Sequence, residues 1–152
     1  MSKTKLNIPY KCFYKIFAIS SSLKDYRASY FINNSLTIGL KKVASLIIDN
    51  KKKSEVYSFE LQKDEDSNID FDYFLINNKT IGKQLISSLK GFDYLFLIKS
   101  EEEIPDQSAI FLALKAIAQF QIVIDVDKLS VRDNNIIEQN ISQVPTDRSS
   151  VR

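Results

Sequence analysis

Apolar and polar positions along this chain fall into stretches of distinct period. From Pro9 to Ile19, PYKCFYKIFAI is β-rich in composition and predicts a strand that ends at a triple serine. SSLKDYRASYFINNSL then predicts a helix of about three turns. Ser22 and Asp25 supply the S-x-x-D start of a capping box, and Asp25 also suits the positive end of the helix dipole. Leu23, Tyr26, Tyr30 and Phe31 recur near helical spacing and are expected to form the buried stripe. Asn33-Asn34 and Gly39 bracket the helix end.

Three strands are expected next. KKVASLII is separated by DNKKKS from EVYSFELQ, in which Tyr57, Phe59 and Leu61 alternate with Ser58, Glu60 and Gln62. After the turn KDEDSN, IDFDYFLI sets Ile69, Phe71, Tyr73 and Leu75 against Asp70 and Asp72. Connections this short favour antiparallel hairpins. Beyond a polar stretch holding Gly82, FDYLFLI is a nearly continuous apolar run, as expected of a central strand covered on both faces.

The acidic SEEEIPDQ leads into a second helix, SAIFLALKAIAQ, with Pro105 in its first turn and acids near its positive end. It is apolar nearly all round and is expected to be well buried. FQIVIDV closes the set as a last strand. From about Asp127 the period dissolves, and the pattern allows a short helix at most before a disordered tail.

The predicted order is β-α-β-β-β-β-α-β, an α+β fold. A mostly antiparallel sheet carries both helices on one face, ferredoxin-like with an extra hairpin between two βαβ halves. Residues 1–128 form one domain and residues 129–152 a polar tail. Strand order within the sheet does not follow from the pattern.

Composition narrows the chemistry. The chain has no histidine, which removes the commonest general base and the commonest metal ligand. Its single cysteine, Cys12, excludes an internal disulfide and a cysteine zinc cluster. Neither a metal nor a cofactor is expected, and with three glycines a Gly-rich phosphate loop has no place. No apolar run approaches membrane-spanning length, and Lys15 interrupts CFYKIFAI, which therefore does not read as a secretory signal. A reduced, cytoplasmic protein is expected. The net charge of +2 does not call for nucleic acid, although Lys3, Lys5, Lys11 and Lys15 could line a modest stripe.

Other candidates reduce to surface features. Ser20-Ser21-Ser22 has no histidine to activate a nucleophile and no G-x-S-x-G elbow around it. DEDSNIDFD has the acidic look of a calcium loop but lacks the glycine and glutamate such a loop needs. Lys51-Lys52-Lys53 is a basic turn, with a short acidic tip at Lys63-Asp64-Glu65-Asp66 expected at the other end of the same strand.

Two stretches carry a resemblance. ISSSLKDYRASYFIN, residues 19–33, resembles the start of the bacterial IPExxxVDY family, where a K-D-Y-R-containing helix follows the first strand. LISSLKGFDYLFLIKSEEE resembles the stretch that names the family: Leu85 and Ile86 match its start, and Phe92-Asp93-Tyr94 stands at its V-D-Y. Ser87 and Ser88 occupy the Pro-Glu positions, so a role of the family's glutamate cannot be filled the same way here. The resemblance spans roughly residues 5–128 and implies kinship without an activity.

Two candidate sites follow, each with a structural and a functional reading. Lys24–Arg27 is either a helix cap with a buried Tyr26, or an anion site in which Tyr26 and Arg27 receive a carboxylate near a helix start. Strand geometry sends Asp93 and Tyr94 to opposite faces, which argues against joint action on one atom. Tyr94 is expected to pack with Phe96 and Ile98, and Asp93 to accept loop N–H groups. The sharper reading pairs Asp93 with Arg27 across the sheet–helix layer.

The function favoured by the residues is non-catalytic, through protein contacts that include a homodimer. The alternative is a small-ligand or regulatory domain with a pocket between the first helix and the sheet, using Asp25, Arg27 and Asp93. An enzyme using carboxylates and tyrosine is the third reading, and nucleic-acid binding ranks below it. No catalytic residue is assigned.

Overall fold

The apolar run YLFLIKS, Tyr94–Ser100, becomes a strand in which every residue is buried. The computed structural model that shows this describes residues 12–50, 52–64, 71–104, 107–141 and 144. In chain order its elements are β1 (Phe13–Ser20), α1 (Asp25–Leu36), β2 (Leu40–Asn50), β3 (Glu55–Asp64), β4 (Asp72–Asn77) and the short β5 (Lys79–Thr80) and β6 (Lys83–Gln84). A 3-10 turn at Ser87–Leu89, β7 (Tyr94–Ser100), α2 (Ser108–Lys115), β8 (Ile122–Val126) and α3 (Val131–Ile141) complete them.

The main sheet has six strands in the order β2-β3-β4-β7-β1-β8, and every neighbouring pair is antiparallel. Reversals along that order leave β1 parallel to β2 and β7 parallel to β8. Their connections through α1 and α2 are therefore crossovers, as in a ferredoxin-like fold. The β2–β3 hairpin extends one edge of that frame. The expected α+β class, the mostly antiparallel sheet and the two helices on one face are all present.

Alternation on β7 divides the interior in two. Tyr94, Phe96 and Ile98 join Phe17, Ile19, Tyr73 and Leu75 beneath α1 and α2, with Ala28, Ile32 and Leu114 packed on them. Leu95 and Leu97 join Ile16, Phe59, Leu61, Phe74 and Ile76 on the other face. That face is covered by Leu85, Ile86 and Leu89 and by Ile137 and Ile141 of α3. Fully burying side chains such as Phe17, Phe74 and Phe96 contributes roughly 1.5–3 kcal/mol each, so both faces stabilise the sheet. Beyond residue 128, where the pattern allows only a short helix, α3 spans Val131–Ile141 and lies on this second face.

Several local expectations are corrected. On α1 the sheet-facing positions belong to Ala28, Ser29 and Ile32, while Tyr26 and Tyr30 are 64% and 58% exposed. Small side chains let the helix lie close to the sheet, and bulky tyrosines cannot share that gap. The capping box at Ser22 does not form: the residue before the first helical turn is Lys24, without a side-chain cap. The α1 end does behave as a left-handed terminus, with Thr37 at φ 56° and the Ile38 N–H donating to Asn33 O at 3.2 Å.

α2 is not buried all round, because Leu112 on its outer side is 65% exposed and only Leu114 within the helix is buried. Pro105 lies outside the described residues, and the helix begins at Ser108. β4 is covered on both faces, Tyr73 and Leu75 on one and Phe74 and Ile76 on the other; Ile69 and Asp70 lie outside the described residues. Lys63 and Asp64 are buried within β3, where Asp64 accepts the Gly39 N–H at 2.9 Å. The polar stretch around Gly82 is a hairpin of β5 and β6, and Gly82 takes the positive φ, 72°, that its turn requires.

Candidate functional site

The Asp93-Tyr94 pair sits where the chain leaves the β5–β6 excursion and enters β7. The Asp93 N–H donates to Ile19 O at 2.8 Å, and Asp93 O accepts the Asn78 N–H at 2.9 Å. Asn78 is itself fully buried: its amide donates to Leu89 O and Phe92 O at 2.9 and 3.0 Å and accepts the Ile86 N–H at 2.9 Å. Every polar atom of that side chain is thus used to fold the excursion back onto the sheet. Nothing in the periodicity singled out Asn78, because its partners are backbone groups brought in by the turn.

The Asp93 carboxylate accepts the Ser21 N–H at 2.8 Å and is ion-paired to Lys79 at 3.1 Å. The Tyr94 hydroxyl donates to Leu23 O, with its ring packed beside Phe96 and Ile98 as expected. Both side chains therefore grip one segment, Ser21–Leu23. Asp93 precedes the strand, and the loop passes the strand end, so each side chain holds its own backbone group and no atom is shared between them. Ser21 adds two ties of its own, donating to Gln119 O at 3.1 Å and accepting the Leu23 N–H at 3.2 Å.

The electrostatics suit a clamp. Burial, then the nearby Asp25 and Asp93 carboxylates, pushes the Tyr94 hydroxyl from 10.0 up to about 12. A phenol held protonated, with its hydrogen given to a backbone carbonyl, is a poor base and a poor nucleophile near neutral pH. Asp25 accepts the N–H of Tyr26 at 2.7 Å and faces Lys42 at 3.5 Å, while Lys42 also meets Glu60 at 3.0 Å. Through Lys42 the Asp25 carboxylate ties the start of α1 to β2.

Arg27 does not join them. Lys79 is the cation on Asp93, and the Arg27 guanidinium lies 5.7 Å from the centre of the Phe31 ring. The Phe31 ring in turn meets Tyr30 edge-on at 5.4 Å. Tyr30 lies four residues after Tyr26 and three after Arg27, so the three form one exposed patch on the outer side of α1, with the half-buried Phe31 at its edge packed against the core. The predicted residues thus separate into a clamp of half-buried Asp93 and buried Tyr94, a bridging Asp25, and a surface pair, Tyr26 and Arg27. The signal for this split was present: Ala28, Ser29 and Ile32 form a second, narrower face of helical period.

The Ser87-Ser88 positions have a definite environment. Ser88 Oγ donates to the carboxylate of Asp133 at 2.7 Å, and Asp133 is only 3% exposed. A glutamate at position 88 would bring a second carboxylate against the first.

Among the described residues no group of three or more His, Cys, Asp or Glu side chains is placed to hold a metal ion. No described helix is long and apolar enough to cross a membrane. Lys3, Lys5 and Lys11 of the candidate basic stripe lie outside the described residues, and Lys15 is ion-paired with Asp125. Two cavities lined by described residues lie away from the predicted side chains, one at the start of β1 and one beneath α3. No protein-family model matches the chain, and neither a curated protein nor a solved structure does.

Proposed function

We propose that this chain is a non-catalytic cytoplasmic protein that works through protein contacts made by the outer face of α1, homodimerisation among them. The observation that carries the reading is the exposure of Tyr26 and Tyr30, at 64% and 58%, beside Arg27 on a helix anchored by Asp93 and Tyr94. Tyrosine and arginine dominate the energetics of protein interfaces because each combines large contact area with a polar tip. A helix already tied down loses little further freedom on docking. The lack of histidine and the protonated Tyr94 support the non-catalytic part. Kinship with the IPExxxVDY family belongs to the same proposal and rests on Lys24–Arg27 and Phe92–Tyr94.

Light scattering after size exclusion, with affinity capture from the native cell, tests this. The double substitution Tyr26→Ala and Tyr30→Ala is expected to abolish self-association or partner capture. Both side chains are exposed, so stability should change by less than about 0.5 kcal/mol per site. A monomeric protein whose captured partners are the same with and without the substitutions would refute the reading.

A further inference from the structure

A cavity of about 160 Å³ opens on the face of the sheet opposite α1, beneath the first turns of α3. Phe59 and Leu85 are buried in its floor, and Ile48 and Ile136 are half-buried at its sides. Tyr57 forms one wall, and Lys83 and Arg132 stand exposed at the mouth with Gln84. An apolar floor beneath two cations is the shape of a site for an amphipathic anion.

The two cations are electrostatically incomplete. Neither Lys83 nor Arg132 has a carboxylate partner among the described residues; Lys83 rests 5.4 Å from the centre of the Tyr57 ring. Arg132 lies in the first turn of α3, where the helix dipole disfavours a positive charge and favours a negative one. The acid of that turn, Asp133, is turned inward and engaged by Ser88. Hydrogen bonding to Glu55, followed by burial, raises the Tyr57 hydroxyl, so this wall is a neutral phenol. Glu55 stands two residues before Tyr57 on β3 and does not line the cavity, whose charged lining residues are Lys83 and Arg132.

We propose that this cavity binds a small amphipathic carboxylate, with an aromatic or branched aliphatic body against Phe59 and Leu85 and its carboxylate between Lys83 and Arg132. Size sets the class: an apolar cavity of roughly 150 Å³ admits a benzene ring, whereas sites for drug-sized ligands run to about 300 Å³ or more. Carboxylate recognition by arginine is charge-assisted and geometrically specific, and the apolar floor supplies the rest of the affinity.

The test uses the full chain and three probes followed by amide chemical shifts: benzoate, its uncharged analogue benzyl alcohol, and inorganic phosphate. Benzoate is expected to bind roughly tenfold more tightly than benzyl alcohol, with shifts confined to the cavity lining, and phosphate to bind more weakly than benzoate. Lys83→Gln with Arg132→Gln alters only exposed side chains and should bring benzoate down to the level of benzyl alcohol. Ile136→Trp should fill the cavity and remove both. Equal affinity for the two ring probes, phosphate binding as tightly as benzoate, or benzoate binding indifferent to the double substitution would each overturn the proposal. So would shifts that map outside the lining.

Discussion

The starts of α1 and α3 are spelled by the same pattern, Ser-x-x-Asp, and are held by opposite means. At α3 the pattern works locally: Ser130 Oγ accepts the Asp133 N–H at 3.1 Å, and Ser130 O accepts the Asn134 N–H at 2.9 Å. Asp133 then turns inward and bonds Ser88. At α1 the serine of the pattern, Ser22, is exposed and caps nothing, and the helix begins at Asp25. Its start is fixed from outside, by Asp93 on the Ser21 N–H and Tyr94 on Leu23 O. A cap requires the serine to be the last residue before the helical turn with its Oγ aimed at the third N–H. Ties to β7 and to Gln119 fix Ser21–Leu23 as a bend outside the helix and deny Ser22 that position.

Substitutions can break this contrast, beginning with the largest effect. Asp133→Ala removes a buried carboxylate that accepts from Ser88 and sits at a helix start, and is expected to lower unfolding free energy by about 2 kcal/mol. Urea unfolding measures it, and an unchanged midpoint would contradict the inward role. Tyr94→Phe keeps the ring but leaves Leu23 O without its donor, an expected loss of about 1–1.5 kcal/mol.

The Tyr94 clamp also has a signature in pH. The hydroxyl ionises near 10.0 when unfolded and near about 12 when folded, so between those values the unfolded chain gives up its proton more readily. The stability contributed by Tyr94 is present below pH 10.0 and is lost as pH rises through about 12. Tyr94→Phe should flatten the decline in thermal midpoint across that window; an identical slope in both proteins would count against a protonated clamp.

The smallest effects compare the serines directly. Ser130→Ala is expected to cost about 1 kcal/mol, the usual value of a helix cap. Ser22→Ala should stay within about 0.5 kcal/mol, as for an exposed residue without partners. Equal losses at the two serines would erase the distinction between a local cap and a tertiary clamp.

Legibility in the sequence followed the range of the interactions. Strand alternation over Tyr57–Leu61, which stops at the buried Gln62, and the continuous apolar run after Asp93 were readable, because burial on one or two faces imprints a period directly on neighbouring residues. The expected α1 stripe holds at Leu23 and Phe31, which pack against the core, and fails at Tyr26 and Tyr30, whose bulk outweighs Ala28 and Ser29 in hydrophobicity although close approach to the sheet favours the small ones. Asn78 and Asp133 were invisible for another reason. A buried polar group is recognised by its partners, and Leu89, Phe92 and Ser88 become partners only once the chain has folded back.

The sequence by itself determined the α+β class, the alternation of the first half of β3, the centrality of β7 and the absence of histidine chemistry, since each depends on composition or on contacts a few residues apart. Only the tertiary structure decided the strand order, the covering of the second face by α3, and the division of the Lys24–Arg27 and Asp93–Tyr94 motifs between surface and clamp. Those outcomes rest on contacts such as Ser21 with Asp93, 72 residues apart, whose geometry no local pattern encodes. Asp93 and Tyr94 act on one loop because the fold brings that loop to both of them.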